Sequence, residues 1–398
     1  MAMNETPSAN RLHIGFFGRR NAGKSSVVNA VTGQELSVVS DVSGTTTDPV
    51  TKAMELLPIG PVLIIDTPGF DDEGSLGELR VKKTKQILNK TDVAILVVDS
   101  TEKMSGTDHE LIQIFKAKGI SYLVVYNKCD LLSVKDMRSL MSEENAVLVS
   151  AKDKKNIDQL KEKIILTAGN TVERPLVSDL VCKGDMVVLV VPIDSAAPKG
   201  RLILPQQQVI RDLLDAGAMP VVVKEDGVAD AIRKLNVKPR MVITDSQAFK
   251  EVSGQVEESI CLTSFSILMA RYKGFLETAV SGIKAIDGLN DGDKVLVCEG
   301  CTHHRQCEDI GTVKIPAWLK KYTGKQLDFE YTSGGDFPNE LNGYKLIIHC
   351  GACMLNEREV LYRMKCAIDA GVPFTNYGTA IAYMNGILER SIKPVVKI

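Results

Sequence analysis

The 398-residue chain is 44% hydrophobic and 25% charged, an ordinary globular composition with room for two or three domains. A formal net charge of −2 gives no global basic field, and no stretch approaches the roughly 18–20 apolar residues of a membrane span, so neither nucleic acid nor membrane is an expected partner. The opening MAMNETPSANRLHIGFFG lacks a charged-then-apolar signal segment, which makes the cytoplasm the expected compartment.

His13–Phe17 reads as a buried strand running into Gly18-Arg19-Arg20-Asn21-Ala22-Gly23-Lys24-Ser25, followed by the helical pattern SSVVNAVTG. This is G-x-x-x-x-G-K-S in the strand–loop–helix context that a phosphate-binding loop requires. The backbone from Gly18 through Asn21, Ala22 and Gly23 to Ser26 can turn its amides to phosphates at a helix N-terminus. Lys24 is expected on the β and γ phosphates and Ser25 on Mg²⁺. Leu63–Asp66 is an apolar strand ending in Asp66-Thr67-Pro68-Gly69, where Asp66 can hold Mg²⁺ through water and the Gly69 amide can approach the γ-phosphate. Tyr122–Tyr126 leads into Asn127-Lys128-Cys129-Asp130, whose Asp130 can accept from both N1–H and the 2-amino group of guanine. Adenine lacks that donor pair, so hydrogen-bond matching selects GTP. Val147–Val149 then supplies the last base-contacting loop, Ser150-Ala151-Lys152.

In this order the segments resemble the tRNA-modifying and ribosome-assembly GTPases over roughly 160 residues. Gly44-Thr45-Thr46-Thr47-Asp48 looks like their switch I segment, which implies Thr46 as a second Mg²⁺ ligand. Asn21 matches the asparagine that helps potassium-activated members hold K⁺, although the motif also leaves that position to any polar loop residue. Phe70 stands where Ras-like proteins carry a water-orienting glutamine. Glu78, 12 residues after Asp66, has the spacing of the water-orienting glutamate of the similar tRNA-modifying enzymes, or is exposed helix surface. The expectation is weak intrinsic turnover stimulated by K⁺.

Glu173-Arg174-Pro175 interrupts the pattern and marks a boundary. Beyond it come an apolar run at Met186–Ile193, an amphipathic helix at Pro205–Ala216, a strand at Pro220–Lys224, a helix at Val228–Leu235 and a strand at Met241–Thr244. This alternation implies a small parallel sheet covered by helices, with no catalytic constellation. MVVLVVPI is either its central strand or part of a dimer interface.

Nine cysteines in a chain of this kind suggest reduced thiols rather than a disulfide framework. Cys129, Cys182, Cys261 and Cys366 are scattered and read as small core residues, whereas the other five crowd into 298–307 and 350–353. The strand Lys294–Cys298 runs into Glu299-Gly300-Cys301-Thr302-His303-His304-Arg305-Gln306-Cys307-Glu308, and the strand Tyr344–Ile348 into His349-Cys350-Gly351-Ala352-Cys353, before a helix at Glu357–Asp369. Both clusters fall just past strand ends, where open α/β sheets bind ligands. Cys350-x-x-Cys353 is a natural chelate, with Cys301 as a third thiolate, and such a set favours Zn²⁺ or an iron–sulfur cluster. Cys298 closes an apolar strand and reads as structural, while Cys307 is either a spare ligand or a bystander.

A G domain followed by Cys301-x-His303, 45 intervening residues and His349-Cys350-x-x-Cys353 resembles the FeFe-hydrogenase maturation GTPases, the HydF family, over the whole chain. The resemblance implies α/β architecture: a P-loop G domain at 1–172, then two smaller α/β domains with largely parallel sheets, for dimerisation at 175–270 and cluster binding at 271–398. It implies a 4Fe–4S cluster on Cys301, Cys350 and Cys353, with His303 and His349 as the motif histidines. It also implies a homodimer that carries a di-iron subcluster precursor, made with two radical-SAM maturases, to the hydrogenase apoprotein. Three thiolates leave one iron to His303, His304, His349, Glu308 or water, the exchangeable corner a scaffold needs. A second reading is an RNA- or ribosome-assembly GTPase with a structural zinc site. A redox dithiol at Cys350 and Cys353 would leave Cys301 and the histidines unexplained.

Overall fold

The structure is a computed structural model that describes residues 6–33, 50–69, 84, 86–102, 104–140, 145–169, 174–193, 202–301 and 309–396. The chain divides into two compact units, Met1–Val172 and Glu173–Ile398.

The first unit is built on six strands: β1 (Leu12–Phe17), β2 (Val50–Leu56), β3 (Gly60–Asp66), β4 (Val93–Asp99), β5 (Ser121–Asn127) and β6 (Ala146–Leu148). Their order is β2-β3-β1-β4-β5-β6, with β2 antiparallel to β3 and the other pairs parallel. The central strand β4, VAILVVD, is buried through Val98, as a strand covered on both faces must be. Helix Lys24–Thr32 follows β1, and Gly106–Ala117 starts from a capping box between Ser105 and Asp108. Every parallel strand here ends on the same edge, so the loops after β1, β3 and β5 gather there.

The second unit holds two four-stranded, all-parallel sheets. One comprises β7 (Met186–Val190), β8 (Met219–Val223), β9 (Met241–Thr244) and β10 (Cys261–Ser264) in the order β10-β9-β7-β8. The other comprises β11 (Lys294–Glu299), β12 (Asp328–Ser333), β13 (Leu346–His349) and β14 (Phe374–Asn376) in the order β12-β11-β13-β14. Both sheets share one hydrophobic core that includes Leu189, Ile243, Leu296 and Ile348 and the buried side of helix Phe265–Tyr272. The apolar run at 186–193 is therefore an interior strand of its sheet, flanked by β8 and β9. Cys129 is buried and Cys261 and Cys366 are half-buried, but Cys182 is exposed, against the expectation of a core residue. It sits on the turn before β7, where its amide donates to Asp185.

Leu296 is fully buried on β11, so Leu296→Ala is expected to cost about 2–5 kcal/mol and lower the thermal midpoint. Leu166, 77% exposed, should tolerate the same change within about 0.5 kcal/mol in a parallel melt.

Candidate nucleotide site and candidate cysteine cluster site

The nucleotide site begins where β1 ends. Gly18 takes φ 136°, and a side-chain carbon there would lie 2.2 Å from the Val97 carbonyl oxygen. Gly23, at φ 86°, would likewise strike the Asn127 amide at 2.3 Å. Both positions therefore need glycine for conformation and for space. Asn21, exposed at the tip, adopts φ 58°, a left-handed geometry that asparagine tolerates better than most residues.

Lys24 lies along the loop, its Nζ donating to the carbonyls of Gly18 at 3.0 Å and Arg19 at 2.7 Å. Ser25 Oγ donates to Asp66 Oδ2 at 2.6 Å, so both Mg²⁺-binding candidates from the described segments already face one point. A divalent cation between a hydroxyl and a carboxylate suits hard-cation chemistry. Thr67 Oγ1 ties the Asp66–Gly69 segment to β1 through the Phe16 carbonyl at 2.6 Å. Asn127 is buried and bridges two loops: its Nδ2 donates to the Ala22 carbonyl and its Oδ1 accepts from the Ala151 amide, each at 3.1 Å. Asp130 is exposed, and the Ser150 hydroxyl beside it holds its carboxyl below the usual range, leaving an anion to accept from a base. Ser26 follows Ser25 in the first turn of its helix, and Lys152 is exposed after Ala151.

Sequence reasoning missed the acidic segment after β4. Asp99 accepts from Lys128 Nζ at 2.5 Å. Asp108, fully buried, accepts from Arg19 Nε at 3.2 Å, and Glu102 from the same guanidinium at 3.0 Å. The phosphate loop and the base loop thus both hang on residues 99–108. The Ser105-x-x-Asp108 capping spacing was the available signal. Thr46 and Glu78 lie outside the described residues.

The cysteine site lies past adjacent parallel strands of the second unit. Cys298 of β11 pairs with His349 of β13, and the Cys350 amide continues that ladder to the Cys298 carbonyl at 2.8 Å. Cys301 and Cys350 therefore leave neighbouring strand ends on one edge. Cys350 Sγ accepts from the amides of Gly300 at 3.1 Å and Ala352 at 3.3 Å. Amides aimed at sulfur suit a thiolate bound to soft metal. Cys301, Cys350 and Cys353 are each half-buried, whereas Cys298 is fully buried, in keeping with a structural role. Burial pushes the Cys298 and Cys353 thiols up to about 12 and raises Cys350 too. Buried thiols of this kind are more basic than free cysteine, and a bound soft cation would favour their thiolate form. Among the described residues, no three His, Cys, Asp or Glu side chains close on a single metal ion. A cubane is a larger body than an ion, and the donor type, the strand-end placement and the amide-to-sulfur bonds fit it. His303, His304, Cys307 and Glu308 lie outside the described residues.

His349, the residue before Cys350, is buried and has a protein partner at each ring nitrogen. Its Nδ1 meets the Cys350 carbonyl at 2.9 Å and its Nε2 meets Arg363 Nη1 at 3.2 Å. A guanidinium only donates, so Nε2 accepts and Nδ1 carries the proton. Burial, then the Arg363 charge, pushes His349 down to about 3, which keeps it neutral. Both ring nitrogens of His349, expected among the iron ligands, thus have protein partners in this structure.

A phosphate loop, a Ser–Asp pair for Mg²⁺ and a guanine-reading loop on one sheet edge define a P-loop GTPase. Residues 13–128 match the family model described as 50S ribosome-binding GTPase, residues 176–274 the hydrogen maturase F dimerization domain, and residues 277–394 the hydrogen maturase F tetramerization domain. The chain belongs to the hydrogen maturase F family. Among curated relatives, GTPase Der of Wolinella succinogenes is 34% identical over 184 residues, 43% of this chain and 38% of that protein. The tRNA modification GTPase MnmE of Natranaerobius thermophilus is 33% identical over 151 residues, 37% of this chain and 32% of that protein. The chain thus spans well under half the length of these relatives. Among solved structures, an Era variant from Aquifex aeolicus bound to GDP and AlF4⁻ is 21% identical, with a TM-score of 0.35 over 56% of this chain and 97% of that one. Among the described residues, no helix is long and apolar enough to cross a membrane.

Proposed function

We propose that this chain is a cytoplasmic GTPase and cluster scaffold. In this reading it holds a 4Fe–4S cluster on Cys301, Cys350 and Cys353, receives a di-iron subcluster precursor made with two radical-SAM maturases, and delivers it to FeFe-hydrogenase apoprotein. The observation that carries the reading is the emergence of Cys301 and Cys350 from adjacent strand ends within a segment that matches hydrogen maturase F. The bound cluster would supply an iron corner open to exchange, left to His303, His304, His349, Glu308 or water. Domains at 1–172, 175–270 and 271–398 would hold the nucleotide, the dimer contact and the cluster. Strand β8, at the open edge of its sheet with Met219 and Val222 45% and 47% exposed, supports the homodimer.

In the nucleotide half, Lys24, Thr46, Asp66 and Gly69 would serve the phosphates and Mg²⁺, and Glu78 would orient the water. Asn21 would help hold K⁺ beside the phosphates, placing positive charge where other GTPases use an arginine finger. GTP turnover, measured by phosphate release, is expected to be several-fold faster in K⁺ than in Na⁺. Equal rates would overturn the Asn21 assignment.

A second reading, an RNA- or ribosome-assembly GTPase with structural zinc, draws on curated relatives that cover 43% and 37% of this chain. Anaerobic reconstitution with iron and sulfide, followed by EPR, separates the two. The scaffold reading expects a cluster signal; stoichiometric zinc with no cluster would favour the second.

A further inference from the structure

Arg363 is a residue that the nucleotide and cluster chemistry leave unused. It stands in the stripe Val360, Arg363, Ala367 that helix Glu357–Asp369 buries, a place where an apolar side chain is the norm. Its side chain is 1% exposed, and a buried guanidinium must have its hydrogen bonds satisfied. Its partners are specific. Nη1 donates to His349 Nε2 at 3.2 Å; Nη2 donates to the Gly334 carbonyl at 2.5 Å and to Glu359 Oε1 at 2.7 Å. The guanidinium also lies over the Phe337 ring, 5.5 Å from its centroid.

Two short chains of hydrogen bonds lead from these partners to the cysteines. His349 Nδ1 donates to the Cys350 carbonyl at 2.9 Å. The Gly334 amide donates to the Cys301 carbonyl at 3.3 Å. One buried guanidinium is thus a single residue removed from the backbone of two of the three thiols. Cys301 and Cys350 lie on different strand ends, so their spacing is set by the sheet and by these links. The Glu359 carboxylate, one turn before Arg363, aims the fork and offsets part of its charge.

We infer that Arg363 is a positioning residue for the cluster site: through His349 and Gly334 it fixes the separation of Cys350 from Cys301, and it uses His349 as a strut between the two, not as the fourth ligand. The inference rests on the cluster reading above. It gives the second motif histidine a role that needs no bond to iron. The Arg363 charge is also one residue from Cys350 through His349, and positive charge near a site that gains negative charge on reduction would favour the reduced form. Lysine would keep that charge but lose the planar fork that reaches His349, Gly334 and Glu359 together.

The test uses full-length chain, reconstituted anaerobically with iron and sulfide and desalted. Wild type, Arg363→Gln, Arg363→Lys and His349→Gln are compared by iron and sulfide per chain, by midpoint potential, and by pulsed EPR with ¹⁵N-histidine. Arg363→Gln is expected to retain about tenfold less cluster, the usual cost of removing an outer-layer partner, and to hold the remainder at a lower potential. Arg363→Lys should lose cluster while keeping a potential near that of wild type. His349→Gln should leave any histidine nitrogen coupling unchanged. Far-UV circular dichroism and melting of the apo forms report on folding; should Arg363→Gln melt far below wild type, Arg363→Lys carries the comparison. Equal retention and equal potential in wild type and both Arg363 variants would overturn this inference alone, as would a nitrogen coupling that vanishes in His349→Gln. Wild type that takes up no cluster would overturn the cluster reading, and this inference with it.

Discussion

Asp130→Asn should lower affinity for GTP by about a thousandfold and make XTP the preferred ligand, because a site built to hydrogen-bond its substrate rejects a mismatched partner steeply. The Ser150 hydroxyl holds the Asp130 carboxyl in its charged form, an acceptor at both oxygens. Guanine offers two donors to that edge. Asparagine has the same shape but presents one acceptor and one amide, so its NH₂ would face the guanine 2-amino group, donor against donor. Xanthine carries a carbonyl there and restores the match. The surrounding loop should survive, since Asn127 still bridges Ala22 and Ala151. Titration with fluorescent GTP and XTP analogues checks the exchange. Unchanged GTP affinity would mean that the base is read elsewhere.

Cys350→Ala is the second change with a large expected effect. Its sulfur accepts from two backbone amides, one residue past the end of β13. Removing it deletes a ligand and leaves the Gly300 and Ala352 amides without their acceptor. Cluster retention should fall by more than the roughly 10–100-fold typical of a supporting residue. Cys301→Ala and Cys353→Ala should do the same, whereas Cys298→Ala should keep its cluster, because that thiol is fully buried in the core. Iron and sulfide analysis after anaerobic reconstitution reads the series. A Cys298 variant that loses cluster while a Cys350 variant keeps it would exchange their roles.

Much of this architecture could be read from residue pattern. The runs at His13–Phe17 and Tyr122–Tyr126, the strand Met241–Thr244 and the helix Glu357–Asp369 appear in the structure within a residue or two, because each has a strong period or a capping signal. β12 and β14 escaped: both are edge strands, β14 is three residues long, and β12 is only half-buried, so neither carries a clear apolar signature. The two family-model segments after 175 divide near the expected boundary, and the two sheets they hold share a core to which helix Phe265–Tyr272 contributes buried side chains. Candidate site residues were legible as motifs, but their supports were not. Arg363 is 14 residues from His349 and Arg19 is 89 from Asp108, and no local spacing joins such pairs. The anomaly of an arginine in an apolar helical stripe was the one available sign of the first.

The account stands on the cysteine edge acting as a place from which a metal fragment leaves. The most direct measurement takes chain purified from cells that also express the two radical-SAM maturases, adds it to FeFe-hydrogenase apoprotein, and follows hydrogen evolution. Wild type should activate the apoprotein, and chain with Cys301, Cys350 and Cys353 all changed to Ala should not. Activation that is equal with and without those three thiols would contradict the account.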